Sequence, residues 1–93
     1  MWFRKKKEIS KEISSGITFK EWLEKYSDKY MHNTIKIYVG CAGVYERVTT
    51  EYGIYSLSYG DIMKYRNNIV KNTLTILNSE KKVDHVAIFI IEE

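Results

Sequence analysis

Residues 72–93 read NTLTILNSEKKVDHVAIFIIEE, and the fold turns on whether this stretch is a pair of strands or the tail of a helix. TLTIL alternates in strand fashion, NSEKK is a polar turn, and VAIFII is a long apolar strand, which together spell a β-hairpin. The rival reading carries a helix on to Leu77, because Thr73, Leu74 and Leu77 also fit a helical period. Asn67, Asn68 and Asn72 have poor helix propensity, so the preceding helix is expected to stop near Lys71, and the hairpin is preferred. Ile88, Phe89, Ile90 and Ile91 run almost unbroken, as in a strand that is central or covered on both faces. The other way to cover such a strand is a second copy of the chain, which makes a homodimer an alternative.

Upstream of the hairpin, LSYGDIMKYRNNIVK (57–71) carries a helix-start signal. Ser58 and Asp61 have capping spacing, and Ile62, Tyr65 and Ile69 form an apolar stripe. Before it, residues 34–58 read as a meander of three antiparallel strands: TIKIYVG, VYERVTT and IYSLS, joined at GCAG (40–43) and EYG. The clearest segment is ITFKEWLEKYSDKYM (17–31). Thr18 and Glu21 make a capping box, and Phe19, Trp22, Leu23, Tyr26 and Tyr30 share one face, which predicts an amphipathic helix over about 18–31. RKKKEISKEISS (4–15) is compatible with a short helix closed by Gly16, with Ile9 and Ile13 as its only stripe.

The expected fold is α+β: a small antiparallel sheet of about five strands with two or three helices mainly on one face, in the order (α)αβββαββ. Residues 1–16 form a basic N-terminal segment and residues 17–93 the single domain. The expected core is Phe19, Trp22, Leu23, Tyr26, Ile35, Ile37, Val39, Val48, Ile62, Ile69, Val86, Ile88 and Ile90.

The composition suits such a domain: 93 residues, 44% apolar and 14% aromatic, with no proline. The net charge is +3, less than Arg4, Lys5, Lys6 and Lys7 contribute by themselves, so the rest of the chain is close to neutral. Strong non-specific nucleic-acid binders spread their charge over a face of the domain instead. Cys41 is the only cysteine, which excludes an intramolecular disulfide and points to the cytoplasm. No apolar run reaches bilayer length, and MWFRKKK lacks both the glycine of an acylation site and a second anchoring signal. The expectation is a soluble protein without a stable membrane anchor. Its abundance of Lys, Ile, Tyr and Asn fits AT-rich coding, as in low-GC bacteria, their phages or archaeal viruses.

Chemistry is harder to find. His32, Cys41, Asp84 and His85 lack the paired spacing of metal ligands, and Asp84 and His85, adjacent on a strand, are expected to face opposite ways. GCAGVYER lacks the close of a phosphate loop, and no carboxylate pair or nucleophile–base pair stands out. Neither an enzyme nor a cofactor is expected. The informative residues are aromatic and basic. Lys36 and Tyr38, then Tyr45 and Arg47, fall opposite the aliphatic residues of the first two strands, with Tyr55 and Tyr59 further on. Such a face suits a protein interface, rich in Tyr and Arg, or bases stacked on tyrosines with Lys and Arg at the phosphates. The nearly neutral body favours a protein partner and a non-catalytic role of inhibitor or adaptor type. The alternative is nucleic-acid binding through the same face, aided by Arg4, Lys5, Lys6 and Lys7.

Overall fold

A computed structural model describes residues 8–53 and 57–92. Among these residues the order is β1 (Glu8–Thr18), α1 (Phe19–Tyr26), β2 (Thr34–Cys41), β3 (Val44–Tyr52), α2 (Tyr59–Tyr65), β4 (Ile69–Leu77) and β5 (Val83–Ile91). The strands form one sheet in the order β1-β4-β5-β2-β3. Every neighbouring pair is antiparallel except β2 and β5, which run parallel from Ile35 opposite Val86 to Gly40 opposite Ile91. The sheet is therefore mixed rather than antiparallel.

The mixed sheet follows from the connections. The hairpin β2–β3 closes through Ala42 and Gly43, both at positive φ, as a tight two-residue turn demands. The hairpin β4–β5 closes through Asn78, whose carboxamide oxygen accepts from the backbone N–H groups of Glu80 and Lys82. Helix α1 carries the chain from the β1 edge to β2, and α2 carries it back from the β3 edge to β4. Two crossovers run in opposite directions from strands of opposite sense; with the right hand usual for such connections both helices fall on one face, and side chains of both helices join one core. The second hairpin is thereby laid between β1 and β2, and the doubly apolar β5 becomes the central strand.

Each helix starts where its cap dictates. Thr18 Oγ1 accepts from Glu21 N–H at 3.1 Å, and Glu21 Oε1 accepts from Thr18 N–H at 2.9 Å, completing the capping box. Ser58 Oγ accepts from Asp61 N–H at 3.0 Å. The first two N–H groups of α1, which no side-chain cap reaches, donate to the carbonyls of Asn68 (2.9 Å) and Arg66 (3.0 Å) just past the end of α2. The positive end of α1 thus meets the negative end of α2. Asn68 also donates through Nδ2 to the carbonyl of Ile91 at 3.0 Å, so one residue ties both helices to the end of the central strand.

The face beneath the helices is closed by Phe19, Trp22, Tyr30, Ile35, Ile37, Val39, Leu57, Tyr65, Val70, Val86, Ile88 and Ile90. Trp22 is fully buried, stacks on Tyr30 at 5.8 Å, and donates through Nε1 to Thr73 Oγ1 at 2.8 Å. Thr73 itself is buried.

Several expectations are corrected. Residues 8–15 are strand, not helix: the spacing of Ile9 and Ile13 is even as well as helical, and pairing with β4 takes up the backbone groups along one edge of this segment. Gly16, at φ 93°, lies in a bulge of that strand rather than behind a helix. Among the described residues the expected three-strand meander is a two-strand hairpin, with Leu57 a buried core residue and Ser58 a helix cap; residues 54–56 of the third candidate lie outside the described residues. Helix α1 ends at Tyr26 and α2 at Tyr65, earlier than their apolar stripes suggest; Asn67 and Asn68 form the turn into β4, and Asn72 lies within that strand. Val48 is exposed: it is the extra residue where the β2–β3 register shifts, on an edge strand whose Val44 is exposed as well.

Two stability tests follow. Trp22→Ala should cost about 3–5 kcal/mol in urea unfolding through the cavity it leaves, and Thr73→Val about 1–3 kcal/mol by orphaning a buried indole N–H. Hydrogen bonds from the backbone and then the hydroxyl of Thr18 hold the Glu21 carboxylate below its usual pKa. A depressed carboxylate stabilises above its unfolded pKa and loses that contribution as pH falls through the folded value. Glu21→Gln should therefore lower the urea midpoint at pH 7, and its deficit against the parent should shrink as the pH falls below the usual carboxylate range.

Candidate binding face of the sheet

The strand register decides which side chains meet on the face away from the helices. Tyr38 lies between Arg47 on β3 and Phe89 on β5. Lys36 is two residues along β2 on the same side, opposite Ala87. Beyond Phe89 lie Asn72 and then Leu74 of β4, and beyond those Ser14 and Glu12 of β1. Among the described residues, no helix covers this surface.

Its centre is a cluster of three rings. Tyr38 and Phe89 stack with centroids 5.0 Å apart and planes 12° from parallel. Tyr45 meets Phe89 edge-on at 5.1 Å. Tyr45 and Phe89 belong to strands separated by β2, so their contact needs a place on β2 with nothing standing up from it. Gly40, opposite Tyr45, is that place. A β-carbon on Gly40 would sit 1.9 Å from the carbonyl oxygen of Val44, so no other residue fits this backbone. Around the rings stand Lys36, Arg47 and Lys71, the last two well exposed. Asn72 Nδ2 donates to Glu12 Oε2 at 2.7 Å, which fixes a carboxylate on this side of the sheet. A hollow of about 150 Å³ lies between Tyr45, Lys71, Asn72, Leu74 and Phe89.

The structure brings together four of the residues singled out in the sequence, Lys36, Tyr38, Tyr45 and Arg47. It places Tyr59 elsewhere, 76% exposed on the first turn of α2, on the helical side. Tyr55 and Arg4, Lys5, Lys6 and Lys7 lie outside the described residues. Phe89, Leu74, Asn72 and Lys71 were not foreseen as part of this face. Phe89 alternates with Ile88 and Ile90, so its side was readable, but its neighbours depend on the crossover that sets β5 against β2.

The residues considered for chemistry remain scattered. Cys41 is an exposed free thiol at the β2–β3 turn. His32 is exposed after α1, whereas His85 is buried, with Nδ1 2.7 Å from Asp84 Oδ2. Asp84 and His85 come together, contrary to simple alternation, because the β4–β5 register shifts at this point. Among the described residues, no three His, Cys, Asp or Glu side chains gather as a metal site would require. Among the same residues, no helix is long and apolar enough to cross a membrane.

Compared with protein families, curated proteins and solved structures, the chain finds no match in any of the three.

Gly40→Ala should push the β2–β3 hairpin apart and cost more than about 1 kcal/mol in urea unfolding, beyond the usual effect of a glycine replacement at an unstrained site. In NMR spectra it should also abolish the ring contacts between Tyr45 and Phe89. Retention of both would show that β2 does not need the bare position.

Proposed function

We propose that this protein is a non-catalytic binding module that works by occupying the surface of another protein, as an inhibitor or adaptor does. The observation that supports this reading is the three-ring cluster of Tyr38, Phe89 and Tyr45, edged by Lys36 and Arg47, on the helix-free side of the sheet. Rigid aromatic residues with arginine beside them are what protein interfaces favour, because they bury much area while losing few rotamers. A standard interface takes about 800 Å² per partner, and a domain measuring 42 × 30 Å along its two longer axes offers that on one face.

Nucleic acid is the second reading, since bases stack on tyrosines and phosphates meet Lys and Arg. Two features weigh against it. Tyr38 and Phe89 turn a face of each ring toward the other, and Glu12 places a carboxylate on the same side. A protein surface accommodates both more readily than a polyanion does.

Affinity capture from a lysate of the native host tests the proposal, with the parent protein beside a Tyr38→Ala/Tyr45→Ala/Arg47→Ala variant confirmed as folded. One stoichiometric protein recovered with the parent and lost with the variant is the expected result. Recovery of nucleic acid alone, or of the same protein by both baits, would defeat it.

A further inference from the structure

The hollow between Tyr45, Lys71, Asn72, Leu74 and Phe89 is where the proposed face has depth. Its size limits what it holds. Sites for small molecules and cofactors run to about 300–1,000 Å³, so a hollow of about 150 Å³ takes one side chain rather than a nucleotide. Its walls fix the character of that side chain: the Phe89 ring is braced on one side by Tyr38 and on another by Tyr45, and Leu74 adds an aliphatic wall. Its rim is polar and cationic. Lys71 is exposed at the edge, Arg47 stands beside Tyr38, and the Asn72 amide is already held by Glu12. The Glu12 carboxylate is thus partnered, while Lys71 and Arg47 are exposed.

We propose that the segment recognised by this face is an acidic stretch of protein that seats one large apolar side chain in the hollow. Carboxylates on either side of that side chain meet Lys71 and Arg47. The inference rests on the protein-binding reading above and specifies its partner: apolar contact supplies the anchor, and opposite charge sets register and encounter rate.

The probe is the peptide acetyl-Glu-Glu-Phe-Glu-Glu-amide, titrated into the full chain labelled with ¹⁵N. Three comparison probes accompany it: the same peptide with alanine in place of phenylalanine, with lysines in place of the glutamates, and a 12-mer of deoxythymidine. Saturable shifts are expected at the amides of Tyr45, Lys71, Leu74 and Phe89. Affinity should fall at least tenfold for the alanine peptide, as expected for losing the burial of one large apolar side chain. It should fall several-fold with Lys71→Gln, an exposed substitution that leaves the fold intact, and should weaken with added salt. No binding, equal binding of the alanine or lysine peptide, or shifts confined to the groove of Leu23, Ile62 and Met63 between the helices would overturn the inference. So would shifts at the same residues from the oligonucleotide alone. The capture experiment separates the two levels. If the triple variant still loses its protein partner while the peptide fails, the face is right and the assigned chemistry is wrong.

Discussion

A buried indole has one polar atom, and the two faces of this sheet are phased by the need to give that atom a partner. Trp22 is fully enclosed, and an unpaired N–H there would cost about 1–3 kcal/mol. Its partner, Thr73, must lie on the covered face of β4 together with Val70. Three residues apart, the two cannot share a face of a regular strand, whose period is two. The register shift between Val70 and Asn72 inserts the extra residue that brings them into phase. The same insertion turns Asn72 and Leu74 toward the opposite face, beside Phe89 and Ala87, and leaves Lys71 exposed at the rim of the hollow. One irregularity in β4 thus seats the tryptophan and shapes the candidate binding face.

Around this axis the helices are held by backbone rather than by length. At eight and seven residues, neither α1 nor α2 would be stable alone in water. The start of α1 is hydrogen-bonded to the turn that follows α2, and Asn68 fastens that turn to the end of β5. Locking both helices onto one face leaves the strands beneath rigidly paired, so the rings on the other side need little ordering when a partner arrives.

How much of this the sequence discloses depends on whether the signal is local. The caps at Thr18 and Ser58, the turn at Asn78 and the tight Ala42–Gly43 connection are written in adjacent residues, and each forms where the sequence places it. Tyr38 and Tyr45 could be put on one face because β2 and β3 are joined by a short turn. The contribution of β4 and β5 to that face could not, because their neighbours are fixed by two long crossovers that leave no mark on spacing. Bulges hide a second class of information. Val48 was expected in the core and Asp84 away from His85, and both turn out to be the extra residue at a register shift, where simple alternation no longer tells which side a residue faces. Ile9 and Ile13 show a third limit, since a spacing of four satisfies helix and strand alike.

Hydrogen exchange of the Trp22 indole N–H, followed by NMR across a low range of urea, is the most direct test of the central claim. If the indole is locked to Thr73 and β4 is phased around it, this proton exchanges only when the whole domain unfolds, and its rate rises with urea as the global equilibrium does. Fast exchange independent of urea, while the backbone amides of β4 and β5 remain protected, would contradict the account.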